Sequence, residues 1–185
     1  MTFSPDSDDA LIVADLQVDF CPGGSLAVPE GDQVVPLVNQ LVPRFQTVVT
    51  SQDSHPPGHC SFVEQGGPWP VHCVEGTPGW EFHPDLRIDP DFRVFKAREP
   101  EHEEYSAWKP ELAEFMAKQG IRRVVVVGLA LDYCVQATAL DARAAGYEVL
   151  VLTDATRAVN LQPDDGDRAL DALRAAGVHE DRAEG

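Results

Sequence analysis

Apolar and polar positions alternate along this chain with two different periods, which separate predicted strands from predicted helices. Short apolar runs rich in β-branched residues predict buried strands at 10–14, 47–51, 93–95, 124–127 and 149–153. Apolar residues at helical spacing predict helices at 32–45, 131–145 and 165–176. Strands alternating with helices indicate an α/β fold, a single-domain three-layer α/β/α sandwich whose mostly parallel sheet has about five or six strands.

One long segment lacks this rhythm. Residues 54 to about 92 are rich in Pro, Gly, His and aromatic residues, and a loop of this length within a compact domain is usually functional. The length of 185 residues suits one domain spanning 1–185, in which the polar residues 1–9 are expected to be disordered or loosely attached. Residues 178–185 contain almost no apolar side chains, so the sequence leaves open whether a last edge strand forms.

The charge of the chain excludes some classes of partner. A formal net charge of -17 repels phosphates, so we expect binding neither to nucleic acid nor to a membrane. No apolar run approaches the roughly 20 residues that cross a bilayer, and the first residues lack the features of a secretion signal. A cytoplasmic protein with free thiols is therefore expected. An acidic, lysine-poor surface would also suit a salt-rich cytoplasm.

Chemically capable side chains stand where the predicted strands end. Asp15, Asp53 and Lys96 each follow a strand, and so does the segment 128–134, which ends in Cys134. Ligands bind beyond the carboxyl ends of parallel strands, so these segments are expected to converge on one rim. Cys134 lies near the start of the helix predicted at 131–145, and the free N–H groups at a helix start favour a thiolate and can bind an oxyanion. Taken singly, each residue also has an ordinary structural explanation, and only the combination favours catalysis.

A group of metal-ligand residues overlaps the irregular segment. Asp53 and His55 are two positions apart, so in an extended chain they project to the same side. His59, Glu64 and His72 follow within the loop. Mixed Asp and His ligands suit zinc, iron(II) or manganese, and five candidates exceed what one catalytic site needs. Because these residues belong mostly to the loop, the metal is expected to stand apart from the catalytic strand ends.

Six stretches, in this order, resemble the nicotinamidase/pyrazinamidase branch of the isochorismatase-like cysteine hydrolases. They cover about residues 10–160 and read VADLQVDFCPGGSLAV, TSQDSHPPGHCSF, GGPWPVHCVEGTPGWEFHP, VFK…YSAW, GLALDYCVQATALDA and DATRAVN. The most specific are D-x-H-P-P-x-H with W-P-x-H-C, and G-x-x-x-D-x-C-V.

The resemblance implies a nicotinamide amidohydrolase of NAD salvage. Cys134 would attack the amide carbonyl and form a thioester. Asp15 would carry the thiol proton to the leaving ammonia, and Lys96 would support the charged pair. One divalent ion, zinc first and iron or manganese as alternatives, would dock the pyridine nitrogen of the substrate. The implied metal ligands are Asp53, His55 and His72, with Glu64 and His59 as further candidates.

The resemblance also implies the shape of the substrate site. The Leu129–Ala130 peptide matches a cis bond of the family, and the backbone N–H groups of Ala130 and Cys134 would form the oxyanion hole. Ser54 follows Asp53 where an aromatic residue is more common, which is expected to loosen one pocket wall. The implied walls of the ring pocket are Phe20, Leu26, Trp69 and Tyr105.

Two other interpretations remain open at this point. The first is a relative that acts on another amide or on an enol ether such as isochorismate, although such members lack the metal ligands. The second is a non-catalytic metal-binding or redox-sensing protein, which leaves Asp15 and Lys96 unexplained. The expected partner is a small-molecule amide, nicotinamide or an analogue such as pyrazinamide, and a homo-oligomer is left open.

Overall fold

The computed structural model describes residues 3–183, and within them the chain folds around one parallel sheet. Its strands are β1 (Asp9–Ala14), β2 (Thr47–Asp53), β3 (Phe92–Lys96), β4 (Arg123–Leu129), β5 (Glu148–Arg157) and β6 (His179–Asp181). Its α-helices are α1 (Val34–Leu41), α2 (Pro110–Lys118), α3 (Gln136–Ala144) and α4 (Asp165–Ala175). The strand order is β3-β2-β1-β4-β5-β6, and neighbouring strands are all parallel.

Both faces of the sheet are covered, because alternate residues of a strand point to opposite sides. Leu11 and Val13 of β1 pack in one core with α1, whereas Ile12 packs in a second core with α2, α3 and α4. These strand residues are completely buried. The predicted three-layer α/β/α sandwich is therefore confirmed, with six strands in the described part of the chain.

The predicted elements are found with shifted bounds. β2 and β3 run on to Asp53 and Lys96, so these two residues belong to the strands themselves. The helix predicted at 32–45 has 3-10 turns at both ends, and α1 occupies only its middle. Helix α2, whose buried residues are Leu112 and Met116, was not predicted. Across residues 3–183, every helix is too short or too polar to cross a membrane.

The expectation of a loosely attached N-terminus does not hold for Phe3 and Asp9, although Ser4, Asp6 and Ser7 between them are exposed. Phe3 is buried, its ring lies 6.0 Å from that of Phe45, and its carbonyl oxygen accepts a hydrogen bond from the Arg44 guanidinium. Asp9 is the first residue of β1 and is also buried. Met1 and Thr2 lie outside the described residues.

The open question of the last edge strand is resolved. β6 pairs with β5, although His179 and Asp181 of this strand are exposed. The flanking Val178 and Ala183 are buried and anchor the segment at both ends. The strand therefore forms by backbone pairing with little burial of its own side chains.

The sheet topology locates a crevice. β1 lies between β2 and β4, and the direction of strand succession changes between β1 and β4. Parallel α/β sheets bind ligands at such a point, beyond the carboxyl ends of the strands. Gly128 in β4 allows the close approach there, because a Cβ on it would lie 2.1 Å from the Ala14 carbonyl oxygen. Its φ of +105° also disfavours any other residue.

Candidate active site

Asp15 lies in the crevice because the chain turns sharply after β1. Its φ of 45° is rare for a residue with a side chain, and the side chain is completely buried. The Asp15 backbone N–H donates to the Ser51 carbonyl oxygen at 3.2 Å, and the Ser51 hydroxyl donates to Asp15 Oδ1 at 2.7 Å. The neighbouring strand β2 thus fixes the position and orientation of this carboxylate.

The ammonium group of Lys96 is the centre of a buried polar cluster. Its Nζ lies 2.7 Å from Asp15 Oδ2 and 2.7 Å from Asp53 Oδ1. It also donates to the Tyr105 carbonyl oxygen at 3.0 Å and lies 3.2 Å from Cys134 Sγ. The predicted convergence of strand ends is thereby confirmed, since the groups come from the last residues of β2 and β3 and from the segments that follow β1 and β4.

Cys134 lies in the first turns of a continuous helix. The segment Leu131–Val135 forms a π-helical turn that leads directly into α3. The side chain is buried, and burial raises the pKa of the Cys134 thiol well above its ordinary value, which Lys96 only partly offsets. The sequence favoured a resting thiolate, but this environment raises the thiol pKa and so favours the thiol, whose sulfur lies within 4.8 Å of a carboxylate oxygen of Asp15. A nucleophile of this kind needs an adjacent base.

The two carboxylates of the cluster differ in basicity. Burial raises the pKa of Asp15 more than Lys96 lowers it. For Asp53, burial also acts to raise the pKa, but Lys96 and His55 outweigh it and the pKa is lowered. Lys96 stays charged, because the two carboxylates raise its pKa despite burial. Asp15 is therefore the group suited to take and return a proton, whereas Asp53 remains a fixed negative charge.

Asp53, His55 and His72 form a compact group of buried metal-ligand atoms, all within 4.8 Å of one another. His55 Nε2 lies 3.2 Å from His72 Nε2 and 3.6 Å from Asp53 Oδ2. His72 Nδ1 lies 2.8 Å from the Pro70 carbonyl oxygen and donates to it, which leaves the lone pair on Nε2. Burial lowers the pKa of His72 and keeps its ring neutral.

This donor set fits a divalent transition metal. Two zinc–nitrogen bonds of about 2.0–2.1 Å at a tetrahedral angle place their nitrogens roughly 3.3 Å apart. The Nε2 atoms of His55 and His72 are 3.2 Å apart, which is close to this distance. Without an ion, the two Nε2 atoms can form a hydrogen bond only if His55 carries its proton on Nε2 and donates it to His72. A ligating His usually donates its other ring N–H to a carbonyl, as His72 does.

The other two predicted ligands are not part of this group. Both ring nitrogens of His59 already have partners, the Ser61 hydroxyl at 2.8 Å and the His102 carbonyl oxygen at 3.0 Å. Its ring packs against His55, with 4.3 Å between centroids. The prediction for Glu64 is corrected, because its turn is exposed and it belongs to none of the metal-ligand groups in residues 3–183.

A carboxylate that the sequence analysis missed lies nearby. Glu103 borders the pocket beside the cluster, within 4.8 Å of ring nitrogens of His55 and His59. It stands in the EHEEYS stretch, where several acidic residues follow one another and the sequence does not distinguish this one.

Asp53 belongs to both the metal-ligand group and the catalytic cluster. It stands opposite Lys96 in the register of β2 and β3, and Oδ1 faces Lys96 while Oδ2 faces His55. The expectation that the metal would stand apart from the nucleophile is therefore wrong. One carboxylate joins the two groups.

The cluster opens into a pocket with aromatic walls. Trp69 and Tyr105 are linked by a hydrogen bond of 3.1 Å from the indole nitrogen to the phenol oxygen, and Tyr133 packs edge-on against Trp69 at 5.0 Å. Polar groups lie at one end, so the pocket suits a flat ring that carries a polar substituent. The residues predicted as its walls, Phe20, Leu26, Trp69 and Tyr105, all line it.

Two further expectations concern the pocket borders. The Leu129–Ala130 peptide is cis, and Ala130 and Cys134 both line the pocket, while the oxyanion role of their N–H groups stays a prediction. Ser54 does not loosen a wall. It is completely buried away from the pocket lining, and its hydroxyl accepts a hydrogen bond of 2.8 Å from the Trp80 indole.

Comparisons with known proteins agree with this geometry. The isochorismatase domain matches residues 9–180. A nicotinamidase from Escherichia coli is 40% identical over 91% of this chain and 92% of its own. The structure of a Pyrococcus horikoshii pyrazinamidase in complex with zinc has a TM-score of 0.88 at 44% identity, over 95% of this chain and 99% of the other. That of PnC1 from L. infantum in complex with nicotinate has a TM-score of 0.93 at 38% identity, over 99% and 97%. The chain belongs to the isochorismatase domain family, in its nicotinamidase/pyrazinamidase branch.

Proposed function

We propose that this protein hydrolyses nicotinamide to nicotinate and ammonia, and pyrazinamide in the same way. The observation that carries the proposal is the single buried cluster of Asp15, Lys96 and Cys134, which opens into an aromatic pocket beside a metal-ligand group. The similarity to nicotinamidases and to a nicotinate complex supports the substrate. A reaction of this kind serves NAD salvage.

The contacts support a two-stage acyl transfer. Asp15 takes the proton of the Cys134 thiol as Sγ attacks the amide carbonyl carbon. The proton then passes to the amide nitrogen, the C–N bond breaks, and ammonia leaves a thioester on Sγ. In the second stage Asp15 takes a proton from water, whose oxygen attacks the thioester, and the proton returns to Sγ as nicotinate is released. Lys96 holds the charges in place, and the N–H groups of Ala130 and Cys134 would bind the oxyanion.

Asp53, His55 and His72 would hold one divalent ion. Zinc is the ion in the P. horikoshii relative, and the donor set also suits iron(II) or manganese. When bound, the ion supplies a Lewis acid for the ring nitrogen of the substrate. Tyr105 and Trp69 would hold the ring against this end of the pocket.

The alternatives raised by the sequence fit less well. A redox sensor needs an accessible thiolate, whereas burial of Cys134 raises its thiol pKa.

We place the protein in the cytoplasm and expect it not to bind nucleic acid, because the net charge of -17 repels phosphates. A homo-oligomer is compatible with this function.

Ammonia release from a panel of amides tests the proposal. The zinc-loaded protein should convert nicotinamide and pyrazinamide without ATP. Benzamide, which has no ring nitrogen, should have a kcat/KM lower by at least about tenfold, because the anchoring interaction is missing. Cleavage of isochorismate without ammonia release from nicotinamide would refute the function. Equal kcat/KM for benzamide and nicotinamide would refute docking through the ring nitrogen.

A further inference from the structure

At the active-site end of the sheet, strand β2 extends further than the neighbouring strand β1. The register between these strands ends at the pair Val13 and Thr50, and the chain then turns at Asp15. The hydrogen bond from the Asp15 N–H to the Ser51 carbonyl oxygen continues the contact by one step. Asp53 lies beyond this point, where β1 has no backbone left to pair with it.

The side chain of Gln17 takes the place of the missing strand. Its Oε1 accepts a hydrogen bond from the Asp53 backbone N–H at 2.8 Å, and its Nε2 donates to the Asp53 carbonyl oxygen at 2.9 Å. A side-chain amide carries the same donor and acceptor as a peptide unit, so it continues the backbone ladder. The second Nε2 hydrogen is directed to the Trp80 carbonyl oxygen at 2.8 Å.

These bonds matter because of what Asp53 does. Its carboxylate faces Lys96 at 2.7 Å on one side and His55 at 3.6 Å on the other, so a small rotation of its backbone would disturb both contacts. Gln17 is completely buried, and without it two backbone groups of Asp53 would lose their partners.

We propose that Gln17 is a positioning residue, which fixes the backbone of Asp53 so that one carboxylate serves both Lys96 and the metal ion. The inference rests on the proposed function, since it assigns Asp53 to both groups. Gln17 does not itself line the pocket, and its side chain hydrogen bonds only to backbone groups of Asp53 and Trp80, so it acts through Asp53.

The test compares two buried glutamines. Gln17→Met keeps the length of the side chain and removes both bonds to Asp53. Gln52→Met is the matched control, because Gln52 is equally buried and donates to the same Trp80 carbonyl oxygen, at 2.7 Å, without bonding Asp53 through its side chain. Zinc affinity is measured by chelator competition on both folded variants and on the wild type, and kcat and KM for nicotinamide on the zinc-saturated proteins.

Gln17→Met should bind zinc about 10–100-fold more weakly and show a lower kcat at saturating zinc, while Gln52→Met stays within about threefold of the wild type. Equal losses in both variants, or an unchanged zinc affinity of Gln17→Met, would overturn the proposal. If Gln17→Met does not fold, Gln17→Asn replaces it, and the same comparison decides. A wild type that binds zinc but releases no ammonia would refute the proposed function and leave zinc affinity to decide the role of Gln17.

Discussion

Removing the charge of Lys96 should cost more stability than removing any exposed charge. Nζ lies 2.7 Å from each of two carboxylates, Asp15 and Asp53, and all three side chains are almost completely buried. Methionine has a similar length, so Lys96→Met removes the cation and leaves most of the packing. Breaking a buried ion pair in this way costs about 3–5 kcal/mol, a large part of the usual stability of about 5–15 kcal/mol.

The loss should depend on pH in a defined direction. In the wild type, Lys96 helps to hold the pKa of Asp53 below its unfolded value, so this stabilisation is present at neutral pH and is lost as the pH falls through the folded pKa. Without Lys96, burial raises the folded pKa of Asp15 still further above its unfolded value, and for Asp53 only His55 is left to oppose burial, so folding then favours the protonated carboxyls more than it does in the wild type. The deficit of Lys96→Met should therefore be largest at neutral pH and shrink toward about pH 4.

Urea unfolding of the metal-free proteins at neutral and mildly acidic pH measures both effects. Lys109→Met is the matched control, since Lys109 is partly exposed and pairs with Glu104 at 2.8 Å, and it should change stability by at most about 1 kcal/mol. Adding Asp15→Asn to Lys96→Met should restore part of the loss. A deficit of Lys96→Met below about 1 kcal/mol at neutral pH, or one that grows on acidification, would contradict the reasoning.

Two further variants separate the nucleophile from its base. Cys134→Ala should abolish ammonia release and change the free energy of unfolding by only about 1 kcal/mol, while the buried Cys21→Ala keeps most activity; an active Cys134→Ala enzyme would show that the sulfur is not the nucleophile. Ser51→Ala removes the hydrogen bond that lowers the pKa of Asp15, so the acid limb of the kcat/KM profile should move to higher pH. Thr50→Val is its control, since the Thr50 hydroxyl has no hydrogen-bond partner among the described residues. If the acid limb of the Ser51→Ala profile stayed at the wild-type pH, Asp15 would not be the base.

Much of the fold could be predicted because its central strands are short apolar runs that contain β-branched residues. The run at 124–127 lies within β4, and the stretch 10–14 lies within β1. Helix α2 was missed although its apolar residues Leu112, Phe115 and Met116 stand at helical spacing, because the helix is only 9 residues long. The local apolar pattern predicts a segment well where the segment is buried, and poorly where contacts with distant parts of the chain determine its structure.

The candidate site was predicted unevenly for a similar reason. Asp15, Lys96 and Cys134 were found because each follows a strand end and matches a motif. The partners that fix them were missed, since Ser51 and Gln17 reach the site through contacts between segments 36 positions apart in sequence. The shared role of Asp53 depends on its register opposite Lys96, which spacing along the chain does not reveal.

The short strand β6 limits how the sheet can associate with other chains. It is one of the two edge strands of the described sheet, with β3 at the other edge. Because it is only 3 residues long, its outward backbone groups offer a small template for an added strand. His179 and Asp181 on this strand are exposed, and the chain as a whole carries a net charge of -17. Edge-to-edge aggregation at β6 is therefore opposed both by the length of the strand and by charge repulsion between copies.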